Sequence, residues 1–194
     1  MSDITVVIPS IPPRIALLER TLASVKAQIL QPAEVIVEFD EDKTGAAATR
    51  QRGLERVATP WVAFLDDDDE FMPQHLSKLL AAAYEHDADY VYSWYEVVGG
   101  LDPRPEEAQL PWDREHPRQT TVTTLVQTDL AVAVGGFVDP DDTTLNSPDR
   151  HYAGEDWRFT QRVNEAGVIY HLPEVTWRWH HHGRNTSGLP SRWS

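Results

Sequence analysis

The chain has 194 residues, 41% hydrophobic and 25% charged, the balance of a soluble globular chain able to bury a real core. Its 31 acids against 17 bases leave a net charge of −14, which argues against binding the nucleic-acid backbone, a mode that relies on Lys and Arg neutralising phosphates. With no cysteine, disulfides and thiolate-bound zinc are excluded, so a metal site here is built from carboxylates, histidines and water, a donor set that favours magnesium or manganese. A small anionic ligand stays compatible with the acidity if a divalent cation reverses the local field. No apolar run approaches the roughly 20 residues that span a bilayer. The start, "MSDITVVIPS", lacks the basic and long apolar regions of a signal peptide, so no membrane insertion and a cytoplasmic location are expected.

In chain order, "ITVVI" (Ile4 to Ile8) is a β-branched run closed by Pro9. From Arg14 to Gln28 the apolar Leu17, Leu18, Leu22 and Val25 recur at helical spacing. "AEVIVEF" (Ala33 to Phe39) reads as a second strand, followed by the turn "DEDKTG" and an alanine-rich helix from Ala46 to Val57. A third strand, Trp61 to Leu65, runs directly into "DDDDE". Pro73 opens a helix over Gln74 to His86, and "ADYVYSW" (Ala88 to Trp94) gives a fourth strand. Strands alternating with single helices predict a largely parallel sheet covered on both faces, with ligands bound beyond the carboxyl ends of the strands. The loops after Ile8, Phe39, Leu65 and Trp94 are therefore expected along one edge.

The second half is less regular. Gly99 to Arg118 carries four prolines and reads as a long surface loop. Thr120 to Val126 is strand-like, Asp129 to Val134 a short helix, and "GGF" (Gly135 to Phe137) a helix stop. The loop "VDPDDTTLNSPDRHYA" leads to a helix between Gly154 and Gly167, and strands at Val168 to His171 and Val175 to Trp179 precede the tail "HHHGRNTSGLPSRWS". No repeat or linker divides the chain, which reads as one domain.

Several residue groups carry candidate chemistry, each with a plain structural alternative. Asp66, Asp67, Asp68, Asp69 and Glu70 form either a solvated loop before a helix or a site needing a cation, because adjacent carboxylates at a ligand edge repel one another and oxygen ligands suit Mg²⁺ or Mn²⁺. Glu155 and Asp156 in "AGEDWRF" are either an acidic first turn or a general base. His180, His181 and His182 are a solvated strand end or a complement to a carboxylate metal site. "GAAATRQRGLERV" is an ordinary helix with solvated Arg50 and Arg52, or an anion site at its start. The sequon at Asn185 carries little weight, and neither a phosphate loop of the GxxxxGK[ST] type nor a GxGxxG fingerprint is present. Trp94, Tyr95, Trp112 and Trp157 offer stacking surfaces or simple packing.

The ordered set "VVIPS", "LLERTLASVKAQ", "VIVEFD", "GAAATRQRGLERVATPWVAFLDDDDEFMPQHL", "GGF", "GEDWRF" and "WHHHGRNTSG" resembles the GT-A glycosyltransferases of family 2, and most closely their short actinobacterial and phage-type members. The resemblance implies an α/β GT-A fold, a single domain over residues 1–194 with a mostly parallel central sheet flanked by helices. Residues 1–98 would bind the nucleotide sugar, and residues 99–194 the acceptor and the catalytic base. It also implies transfer of a sugar from a UDP- or GDP-sugar to an acceptor hydroxyl with Mn²⁺ or Mg²⁺. In its terms Asp66 and Asp68 match the D-x-D motif, with Asp68 the direct metal ligand, Asp69 a close neighbour and Asp67 the residue between, all at the donor edge. Asp156 matches the catalytic base and Glu155 an orienting neighbour. His182, with His180 as the alternative, completes the metal site, while Pro9, Ser10, Asp40 and Arg50 contact the donor. Two departures stand out: "VEFDED" where "VDDGS" is frequent, and "TRQRG" where "ARNxG" is usual.

The expected reaction is a single inverting displacement with Asp156 as base. Two competitors are weighed against it. A sugar-nucleotide nucleotidyltransferase would need a glycine-rich basic loop near the N-terminus, which "IPSIPPR" is not. A catalytically silent nucleotide- or glycan-binding module would keep the fold without turnover. The acceptor is left open among glycan, protein and modified nucleobase. A phage-encoded chain would work in the host cytoplasm, and Arg104, Arg114 and Arg118 would have to be presented together for duplex DNA to bind.

Overall fold

Alternation along the central strands decides the layers. The computed structural model describes residues 2–137 and 154–181. In β1 (Ile4–Ser10), Ile4, Val6 and Ile8 face one way and Val7 the other; in β3 (Trp61–Phe64), Trp61 and Ala63 oppose Val62 and Phe64. The first set packs with Leu18 and Val25 of α1 (Ile15–Lys26) and with Leu76, Leu79 and Ala83 of α3 (His75–Glu85). The second packs with Leu54 of α2 (Ala46–Leu54), Ala131 of α4 (Thr128–Ala133) and Phe159 and Val163 of α5 (Glu155–Ala166). Both faces of the sheet are therefore apolar and covered, as a period of two in buried strands requires.

The sheet has seven strands in the order β2-β1-β3-β6-β5-β7-β4, with β2 Glu34–Phe39, β4 Glu70–Phe71, β5 Tyr90–Val98, β6 Thr124–Gln127 and β7 Ile169–His180. β1, β2, β3, β5 and β7 share one direction, while β6 runs antiparallel between β3 and β5 and β4 runs antiparallel on β7. The sheet is thus mixed, and the parallel expectation holds for the strands that alternate with helices. β6 reverses because it returns from β5 through a long connection rather than a helical crossover.

The two strands expected at 168–171 and 175–179 are one strand. Its pairing with β5 slips between Ser93 and Trp94 and again between Trp94 and Tyr95, around Pro173. Such bulges bend a strand. Only Leu65 to Asp69 separate β3 from β4, so the far half of β7 curls to within reach of the acid run: Arg178 pairs with Glu70 and Trp177 with Phe71.

The proline-rich segment is not a free loop. It holds a 3₁₀ turn (Pro105–Gln109), and Trp112 donates Nε1–H to Asn164 Oδ1 at 2.8 Å. Arg104 donates to the Gln119 carbonyl, Arg114 to those of Glu165 and Gly167, and Arg118 to that of Pro111. Arg114 therefore straps the segment to the end of α5, while Arg104 and Arg118 bond carbonyls in or directly beside the segment itself. Among the described residues no helix is long and apolar enough to cross a membrane.

Candidate active site

A cleft of about 220 Å³ opens at the carboxyl ends of β1, β2 and β3, where open α/β sheets bind ligands. Its walls include Pro9, Ser10, Asp40, Arg50, Asp66, Asp67 and Asp68, so the residues assigned to the donor from the sequence converge there. Ile11, Arg14, Gly45, Ala46, Thr49 and Trp179 complete it.

Each wall has a local cause. Asp40, just past β2, accepts the backbone N–H groups of Thr44 (2.7 Å) and Gly45 (2.8 Å) and the Thr44 hydroxyl (2.8 Å). Although burial opposes ionisation, these donors hold its carboxyl below the usual range. Asp40 so fixes the turn that delivers Gly45, at φ 94°, to the start of α2, a backbone conformation that glycine adopts without strain. Oδ1 accepts twice and Oδ2 once from that turn, which leaves Oδ2 with acceptor capacity.

The acid run is wrapped by α1 and its preceding turn. Asp67, buried, accepts Ser10 Oγ at 2.7 Å and Arg14 Nη1 at 2.9 Å, so it is a fixed element of the wall rather than a variable spacer. The Asp68 carbonyl accepts Arg20 Nη2 at 2.6 Å, and that of Asp69 accepts Thr21 Oγ1 at 2.8 Å. Asp66, Asp68 and Asp69 each offer an oxygen, all within 4.8 Å of one another. Burial first, then the neighbouring charges of Asp66 and Asp68, push the Asp69 carboxyl well above the ordinary range. Three oxygen donors that resist sharing negative charge fit a hard divalent cation.

His180 and His181, the two described histidines of the run, have partners of their own. His180 donates its backbone N–H to Asp69 Oδ1 at 2.9 Å, and its Nε2 sits 2.8 Å from Glu70 Oε1, which also holds Arg20 Nε at 3.0 Å. Burial is the first cause holding the His180 imidazole below its ordinary pKa, and Arg20 the second. His181 donates its N–H to Val98, and its ring meets Trp179 edge-on. His182, the loop over 139–151 and the Asn185 sequon fall outside the described residues.

Arg50 joins the two acidic motifs. Buried, it donates Nη2 to Asp66 Oδ1 at 2.5 Å and Nη1 to Glu155 Oε1 at 2.6 Å, linking the end of β3 to the first turn of α5. Asp156, next to Glu155, has its pKa pushed up to about 6, by burial first and the Glu155 charge second; Arg50 and the N–H of Trp157 (2.8 Å) oppose the rise. Gly154 permits this placement, since a Cβ there would lie 2.6 Å from Asp156 Oδ1. Trp94 and Tyr95 are buried and stacked on each other, with Trp94 Nε1 on Asp102, so Trp179 is the aromatic that lines the cleft. The sequence reading missed Arg14 and Trp179. The basic residue closing "IPPR" straight after the first strand's loop was a signal for the former, whereas Trp179 reaches the cleft only through the bend in β7.

The model of Glycosyl transferase family 2 matches residues 35–138, more than half of the chain and including the acid run. The chain belongs to glycosyl transferase family 2. Among the curated relatives it matches, the succinoglycan biosynthesis protein ExoW of Rhizobium meliloti is 32% identical, over 52% of this chain and 39% of its own. TuaG of Bacillus subtilis, named for teichuronic acid biosynthesis, is 35% identical over 36% of this chain and 30% of its own. This family 2 chain thus spans well under half the length of either relative. The S. aureus TarS structure in complex with UDP-GlcNAc superposes with a TM-score of 0.73 at 15% identity, over 96% of this chain and 61% of that one. TarS 1–349 in complex with UDP gives 0.70 at 18%, over 92% and 60%. The GT-A fold expected from the sequence is therefore the fold observed.

Proposed function

We propose that this family 2 chain transfers a sugar from a nucleoside-diphosphate sugar to an acceptor hydroxyl, with a divalent cation and with inversion. The observation that carries the reading is the cleft itself, where Asp66 and Asp68, Ser10 and the Arg50 bridge to the Asp156 helix meet at one sheet edge. A UDP-sugar donor is supported by the UDP and UDP-GlcNAc complexes of TarS. In this reading residues 1–98 supply most of the donor wall and residues 99–194 supply the base and the acceptor side, within one domain.

Asp66 and Asp68 would hold Mn²⁺ or Mg²⁺, with Asp69 adjacent. His180, set on Glu70, would orient Asp69 through its backbone N–H. The cation's chemistry there is neutralisation of charge on the departing diphosphate. Asp156 accepts the proton of the acceptor hydroxyl as that oxygen bonds to the anomeric carbon, and the bond from that carbon to the diphosphate oxygen breaks on the opposite face. A base with pKa about 6 is mostly ionised near neutrality yet still takes a proton readily. Glu155, held by Arg50, keeps that value raised.

The test is hydrolysis or transfer from a panel of UDP- and GDP-sugars with Mn²⁺. Turnover abolished by chelation and restored by Mn²⁺ is expected. In Asp156→Asn, turnover falls by about 10²–10⁴ while UDP binding is retained. Binding of UDP without turnover of any donor would leave a nucleotide-binding module instead.

A further inference from the structure

Two cations line the cleft, and they are held differently. Arg50 is buried and spends both terminal nitrogens on carboxylates from opposite sides. Arg14, from the 3₁₀ turn Pro12–Arg14, keeps a quarter of its side chain exposed (25%) and makes both of its acid contacts through Nη1. One is a 2.9 Å bond to Asp67 Oδ1; the other is a longer 3.4 Å approach to Asp68 Oδ2. Among the described residues Nη2 and Nε donate to nothing. Asp67 is independently fixed by Ser10 Oγ at 2.7 Å, so Arg14 has a firm anchor on one acid and a weak hold on the next.

That weak hold falls on Asp68, one of the three acids whose oxygens cluster within 4.8 Å. A guanidinium and a divalent cation on one carboxylate repel each other at short range in a partly buried site. A guanidinium with free Nη2 and Nε is also shaped to take a phosphate through two parallel bonds. Resting on the reading of a cation at the acid run, we propose that Arg14 is an exchangeable counter-cation. It neutralises Asp68 while no divalent cation is bound, yields Asp68 when one arrives, and, still anchored on Asp67, turns its free nitrogens to the donor's diphosphate. Metal and nucleotide then assist each other's binding, because the diphosphate draws away the charge that opposes the metal.

The experiment is Mn²⁺ titration followed by the EPR signal of the free ion, on the whole chain, with and without UDP, for wild type, R14Q and R14K. R14Q is expected to bind Mn²⁺ alone about 5- to 10-fold more tightly and to lose most of the mutual enhancement between Mn²⁺ and UDP, which in wild type falls in the usual range of about 5- to 150-fold. R14K keeps the charge but not the fork, so its Mn²⁺ affinity stays near wild type while UDP binding weakens. If R14Q does not fold because Asp67 is left unpaired, the double variant R14Q/D67N carries the same expectation. Wild type binding Mn²⁺ with R14Q no tighter overturns the role of Arg14 and leaves the metal reading standing. Wild type transferring sugar without binding Mn²⁺ removes the metal reading, and this proposal with it.

Discussion

Arg50 carries an unusual electrostatic load for one side chain. It is buried and stands between Asp66 and Glu155, each about a third exposed on its side chain at 34% and 33%. Arg50→Met leaves both acids without their cation. Breaking a fully buried pair costs about 3–5 kcal/mol, and with solvent reaching both partners a loss of about 2–3 kcal/mol is expected in urea unfolding. Arg50→Lys should not restore it, because one ammonium cannot bridge two carboxylates as the planar fork does. The same substitution bears on Asp156, since Arg50 is one of the influences that lower its pKa. In the proposed role of base, Asp156 would act when deprotonated, and its folded pKa lies above the ordinary aspartate value. Turnover should therefore rise with pH through about 6 and level off above it, falling about tenfold per unit on the acid side. In Arg50→Met the rising limb should move to higher pH. A pH–rate profile that is flat between 5 and 7 in wild type would remove Asp156 from the role.

At the scale of elements, α2 is seated by the absence of a side chain. A Cβ on Gly53 would lie 2.4 Å from Cγ1 of Val7, a fully buried β-branched residue of β1 whose rotamer has little freedom to yield. Gly53→Ala should cost about 1–3 kcal/mol by overpacking, which in a chain of this size lowers the melting temperature by about 2–4 °C for each kcal/mol. An unchanged melting temperature would show that α2 shifts freely on the sheet. What the sequence made legible follows the same logic. β1, β3 and the helices that cover them were readable because two buried faces impose continuous apolar strands and helical periodicity. β4 was not, because Glu70 and Phe71 sit in an acid run and owe their strand geometry to Trp177 and Arg178 far along the chain. Nor was the reversal of β6, since no local pattern distinguishes a parallel from an antiparallel neighbour. The acid run was legible as a ligand edge from topology, whereas the hold of Arg14, Arg20 and Thr21 upon it depends on contacts 48 to 54 residues apart.

For the molecule as a whole, net charge sets what the cleft must supply to hold the proposed donor. A chain of net charge −14 attracts a nucleoside diphosphate only where local positive charge outweighs the field of its carboxylates. In the described cleft wall that charge is Arg14, Arg50 and the N–H groups at the start of α2, and in the proposed mechanism a divalent cation on the acids supplies the remainder. UDP affinity should thus fall by at least tenfold when Mn²⁺ is removed by chelation, measurable by calorimetry, a size typical of coupling between sites. The most direct measurement is a crystal grown or soaked with Mn²⁺ and UDP. The expected result is an ion on carboxylate oxygens of Asp66 and Asp68, with the diphosphate beside it in the cleft lined by Ser10 and Arg14 and the nucleoside toward Asp40. An ion bound away from the acid run, or UDP seated outside this cleft, would contradict the proposed mechanism.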